Sequence, residues 1–109
     1  MSCISMAGRY QTFLSAARWR VSFVYRDVEE KYLRAKRLAK AYWGLVHVLK
    51  YDTCSGVLVM PLDNGFEIEI GDVVRVRFGD VVVELPDERL LIRMKICVGE
   101  VCLQSRARS

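Results

Sequence analysis

From Val57 to Leu85 apolar and polar residues alternate, broken at Asp63-Asn64-Gly65, Gly71-Asp72 and Gly79-Asp80. Period-two alternation marks strands with one buried face, and Gly beside Asp or Asn between two such runs marks a hairpin turn. Each turn tests the register, because a one-residue slip carries every side chain to the opposite face. A two-residue Asn64-Gly65 loop would set Leu62 against Glu67, whereas a three-residue loop with Gly65 left-handed pairs Leu62–Phe66, Met60–Ile68 and Leu58–Ile70. A three-residue loop of Gly71, Asp72 and Val73 gives Ile70–Val74, Ile68–Val76 and Phe66–Phe78, and a two-residue Gly79-Asp80 loop gives Phe78–Val81, Val76–Val83 and Val74–Leu85. The three turns agree on one apolar face. The other face carries Glu67, Glu69, Arg75, Arg77 and Glu84, with Glu69–Arg75, Glu67–Arg77 and Arg75–Glu84 opposite one another. A carboxylate beside a cation is neither a poised base nor an available metal ligand, so this face reads as solvated cross-strand ion pairs.

Upstream, residues 1–9 are small and polar and are expected to form a loose terminus, with one or two helical turns over Tyr10–Ala17. From Arg18 the pattern alternates: Trp19, Val21, Phe23 and Tyr25 on one side, Arg18, Arg20, Ser22 and Arg26 on the other. That predicts a strand over Arg18–Arg26; a continuous helix competes, since neither Gly nor Pro interrupts the segment. Asp27 with Glu30 resembles an N-cap and its capping-box acid, and Val28, Tyr32, Ala35, Ala39 and Tyr42 recur at helical spacing up to Gly44, a fitting C-cap. The helix is predicted over 28–43. A strand over Leu45–Lys50 leads into the meander, where Pro61 must turn its missing donor to an edge or a bulge. After Pro86-Asp87, Leu90–Val98 alternates with Ile92, Met94, Ile96 and Val98 inward, and Gly99-Glu100 turns it back through Leu103. The tail Ser105–Ser109, with Arg106 and Arg108, is expected to be mobile. The fold class is α+β: one main helix (28–43) packed on a bent antiparallel β-meander, with a small, partly closed barrel as its limiting form. Residues 1–109 form a single domain without internal repeats or linkers.

Composition sharpens this picture in one respect. Residues 1–50 carry ten basic and three acidic side chains, residues 51–91 three basic and nine acidic, and nine of the eleven aromatic residues fall within the first 51. The first half is basic and aromatic and the meander acidic, which suggests an anionic partner for one half or self-association. One Asn, two Gln, and twelve Arg against five Lys suggest a hyperthermophilic archaeal or archaeal-virus source. No apolar run reaches membrane-spanning length and no secretory apolar core opens the chain, so a cytoplasmic protein with no membrane partner is expected.

Candidate chemistry is sparse. Cys3, Cys54, Cys97 and Cys102 lack the paired spacing of a zinc site and His47 is the single histidine, so no metal or cofactor is expected. The Gly99-Glu100 turn sets Cys97 directly opposite Cys102 as a non-hydrogen-bonded pair, whose side chains approach closely. A Cys97–Cys102 disulfide and two free thiols are both open there. His47 has no nucleophile or telling acid nearby in sequence, and no phosphate loop or nucleophile motif occurs, so the chain reads as non-enzymatic.

The one positive functional signal is the interleaving of guanidinium groups and rings, Arg18-Trp19-Arg20 and Phe23-x-Tyr25-Arg26, followed by Lys31, Arg34, Lys36, Arg37 and Lys40. Rings stack bases and cations hold phosphates. The candidate contacts to RNA or single-stranded DNA are therefore Arg18, Arg20, Arg26, Arg34, Lys36, Arg37 and Lys40. Against this, alternate rings on a strand would be core and the helix cations a solvated face. A protein–protein module, an obligate dimer or an archaeal-virus accessory protein with an aromatic interface, is the second reading. The order strand (Arg18–Arg26), helix, Gly44, strand, Gly56, strand, with Arg18-Trp19-Arg20, Tyr51-Asp52 and Gly56-Val57, resembles the small RRM-like protein subunit of archaeal ribonuclease P over about half the chain. That family continues with a helix where this chain has hairpins. The resemblance implies an RNA-supporting subunit of a larger assembly, with Arg18, Arg20 and the basic helix at the RNA.

Overall fold

The computed structural model describes residues 2–106. The elements follow as β1 (Ser5–Arg9), α1 (Phe13–Arg20), α2 (Tyr25–Ala41), β2 (Val48–Asp52), β3 (Val57–Pro61), β4 (Glu67–Ile70), β5 (Val74–Phe78), β6 (Val81–Leu85), α3 (Glu88–Ile92), β7 (Lys95–Val98) and β8 (Val101–Gln104), with 3-10 turns at Tyr10–Thr12 and Ser22–Val24. The fold is α+β. Strands β1 to β6 form one antiparallel sheet in sequence order, and β7 pairs with β8 in a second, two-stranded sheet. The large sheet is open, with β1 and β6 as its edges, and does not close into a barrel.

The three meander turns adopt the expected registers. At the first, the Leu62 N–H donates to the Phe66 carbonyl at 2.8 Å and Gly65 takes φ +95°. A Cβ at Gly65 would meet the Phe78 ring at 3.1 Å, so backbone conformation and space both demand glycine there. The Phe66 and Phe78 rings touch across the strands, with centroids 4.6 Å apart. Pro61 lies beyond the last β2–β3 pair, Lys50 with Val59, where no ladder donor is needed. The apolar face (Leu58, Met60, Ile68, Ile70, Val74, Val76) is buried together with one stripe of α2, Val28, Tyr32, Ala35, Leu38 and Ala41. On the other face Arg75 binds Glu84 at 3.0 Å, while Arg77 reaches diagonally to Glu69 at 3.1 Å instead of to Glu67 opposite.

Five expectations need correction. Residues 5–9 are not loose: they pair with β2 from Ser5–Asp52 to Arg9–Val48, and Met6 is buried. Arg18–Arg26 is neither a strand nor one continuous helix: α1 ends at Arg20, Val21 breaks it, a 3-10 turn spans Ser22–Val24 and α2 starts at Tyr25, while the core takes Phe13, Ala17 and Val21, four apart. The main helix begins at Tyr25, so Asp27 lies inside its first turn and caps nothing; its carboxylate binds Lys31 and the Tyr51 hydroxyl instead. Leu90–Val98 is not one strand: the Asp87 side chain accepts the Leu90 N–H at 3.0 Å and caps α3, and only Lys95–Val98 is extended. Strand β2 also begins later than predicted, at Val48, with Val46 making a single bridge to Leu62.

Both hairpin cysteines and a second pair are joined. Cys97 and Cys102 are disulfide-bonded across the β7–β8 ladder, and Cys3 and Cys54 tie the start of the chain to the β2–β3 loop. The second bond joins residues 51 positions apart, which only the pairing of β1 with β2 brings together. Strand β8 is anchored by the buried Leu103 and the Arg106 N–H binds the Ala41 carbonyl at 2.7 Å, so the expectation of a mobile tail fails at Arg106; residues 107–109, Arg108 among them, lie outside the described residues.

Candidate nucleic-acid interface

Helix α1 buries Phe13 and Ala17, and Val21 then leaves helical backbone (φ −134°, ψ 45°) with its side chain fully buried. Once Phe13, Ala17 and Val21 supply the inward stripe, the intervening large residues must point out. Trp19 is 87% exposed and Phe23 70% exposed. This reverses the alternation reading, which placed both rings inward. Around them Arg18, Arg20 and Arg26 are exposed, and no acid occurs between Arg18 and Arg26. The Arg18 guanidinium lies 5.0 Å over the Tyr25 ring and donates to its hydroxyl at 3.2 Å, which holds one cation in place at this corner.

Along α2 the predicted cations divide. Arg34 is taken by the fold: its Nε donates to Glu88 Oε1 at 2.9 Å and its Nη1 to the Gly71 carbonyl at 3.0 Å. Arg37 donates to Glu88 Oε2 at 3.2 Å with its side chain half exposed. Burial pushes the Glu88 carboxyl up, but its own backbone N–H and the two guanidiniums outweigh this and hold it below its ordinary range. Glu88 thus joins α3 to α2, and Arg34 is unavailable to a ligand. Lys36 and Lys40 are exposed and, with Glu29 and Leu33, occupy one helical face that runs toward the exposed Trp43. Of the seven predicted contacts all but Arg34 are exposed to solvent, Arg37 while it also holds Glu88. The sequence leaves Trp19 and Phe23 open between a stacking surface and the core; the Phe13, Ala17, Val21 spacing is the signal that decides for the surface.

The tie beneath this corner is polar. Tyr51, on β2, donates its hydroxyl to Asp27, which also binds Lys31. Burial raises the Asp27 carboxyl, Lys31 and Tyr51 lower it, and the net direction is downward, so Asp27 stays ionised and pins α2 to the sheet. A shallow groove of about 530 Å³ lies elsewhere, lined by Ala7, Lys50, Val57, Val59, Glu69 and Arg75 among others. Both Glu69 and Arg75 are committed to ion pairs there. His47 is exposed and faces Asp63 at 2.8 Å, a surface pair without a nucleophile beside it. Among the described residues no cluster of three or more His, Cys, Asp or Glu side chains could hold a metal, and no helix is long and apolar enough to cross a membrane.

No protein-family profile, curated protein or solved structure matches the chain.

Proposed function

We propose that this protein binds single-stranded nucleic acid, RNA or DNA, through the α1–α2 corner and carries no chemistry of its own. The observation behind this reading is the exposure of Trp19 and Phe23 among Arg18, Arg20 and Arg26, with no acid between. Exposed rings are costly to leave in water and give every base a stacking surface, while the guanidiniums meet phosphates; Lys36 and Lys40 extend the positive track along α2. The test is fluorescence anisotropy with labelled single-stranded RNA and DNA at two salt concentrations. Affinity is expected to fall with salt, and Trp19→Ala or Phe23→Ala to weaken binding about tenfold each, at the low-to-middle range of base-stacking energies. Folding stability should change by no more than about 0.5 kcal/mol, because both rings are exposed. Absence of salt-sensitive binding removes the proposal.

A second reading rests on Leu33 and Trp43, also largely exposed. With Trp19 and Phe23 they would serve as anchors for a protein partner, and a salt-insensitive complex lost on Trp43→Ala would favour it.

A further inference from the structure

We infer that β6 pairs edge to edge with β6 of a second copy of this chain, across a two-fold axis at Val83. Strand β6 is an outer edge of the six-stranded sheet, reads Val81-Val82-Val83-Glu84-Leu85, and leaves Val81 45% and Val82 43% exposed. The edge has neither a lysine nor a bulge, proline comes only after its last residue, and Glu84 is its single charge. Its backbone is poised for pairing. The two-residue loop makes Phe78–Val81 the closing hydrogen-bonded pair, so Val81, Val83 and Leu85 face β5 while Val82 and Glu84 turn their N–H and C=O groups outward. Among the described residues no group hydrogen-bonds to those outward positions. Pro86 has no donor, and it ends the pairing edge at Glu84.

Charge and face then select one register. An antiparallel two-fold pairing that keeps each face continuous must centre on Val82, Val83 or Glu84. Centring on Glu84 sets it against the partner's Glu84, and centring on Val82 sets Asp80 against the partner's Glu84; like charges directly opposite are destabilising. Centring on Val83 pairs Val82 with the partner's Glu84, Val81 with the partner's Leu85 and Val83 with itself. This register makes four ladder hydrogen bonds, and Glu84 keeps its ion pair with Arg75. The opposite edge, β1, offers Ala7 and Gly8 where β6 offers valines, and a β1-to-β6 contact would be head-to-tail and open-ended. The strand is self-complementary, and its occupant is a second copy.

The full chain, without nucleic acid, is expected to show twice the chain mass by light scattering and to dissociate on dilution. Val82→Pro removes an outward donor and leaves the ladder to β5 whole; it should weaken the dimer about thirtyfold, the equivalent of two lost hydrogen bonds. Val82→Thr keeps the donor and the dimer. Should the proline variant fail to fold, Val83→Cys gives an independent reading: paired with itself at the closest strand approach, it should form an intermolecular disulfide under mild oxidation, whereas Val81→Cys should not. A chain that stays monomeric at every concentration, a dimer unaffected by Val82→Pro, or growth into open-ended polymers overturns the inference.

Discussion

Trp19 and Glu88 show how far a side chain's role depends on residues distant in sequence. Trp19 alternates with arginines in a way that suits a strand, yet Ala17 and Val21 occupy the core around it and leave its ring in water. Glu88 follows a proline-aspartate turn with no local mark of importance, but it is buried, with a side chain 5% exposed, and holds Arg34 and Arg37 from 54 and 51 positions away. Glu88→Gln should cost about 2–3 kcal/mol, below the full penalty for breaking a buried pair because both arginines keep some access to water. The pH dependence follows from the sign of its shift. The folded-state carboxyl titrates below its ordinary 4.5, so its contribution is fully present above that value and is lost as pH falls through the lower folded value. Asp27, also lowered, acts in the same direction. Urea midpoints at neutral pH and below pH 4.5 should show a steep acid loss in the wild type and a shallower one in Glu88→Gln.

Among the elements, hairpins were legible and helices less so. The turns at Gly65, Gly71 and Gly79 each connect neighbours in sequence, so face alternation and loop length were enough to set β3 to β6 in register. Strand β1 was invisible because its partner β2 lies some 40 residues on, and nothing in Ser5-Met6-Ala7-Gly8-Arg9 marks a strand except that pairing. Segment Arg18–Arg26 satisfied two periods at once, and only packing decided between them. The candidate site was half legible: the sequence named its cations and left its rings open between surface and core, and Arg34 turns out to be held by Glu88. The two disulfides differ in the same local-versus-distant sense. Cys97–Cys102 closes a loop of 5 residues and Cys3–Cys54 one of 51. By loop entropy these contribute about 2 and about 4 kcal/mol. Replacing Cys3 and Cys54 together by alanine should therefore lower the melting midpoint clearly more than replacing Cys97 and Cys102, as calorimetry of the two double variants would show.

For the molecule as a whole, the separation of charge along the sequence becomes a separation between elements. The arginine-rich corner and the exposed Lys36 and Lys40 belong to α1 and α2, which also carry Asp27, Glu29 and Glu30, while most of the remaining acids lie on the meander and its turns. The proposed polyanion would be met by the helices and repelled by much of the sheet, and a second copy joined at β6 would leave both helical corners free. The Cys3–Cys54 bond adds something that non-covalent packing cannot. It closes a covalent ring around β1, α1, α2 and β2, and the exposed Arg18, Arg20 and Arg26 all lie on that ring. Trypsin cutting after any of these arginines would open the backbone without releasing a fragment. The nicked protein would remain one molecule on a non-reducing gel and separate into two pieces only with reductant.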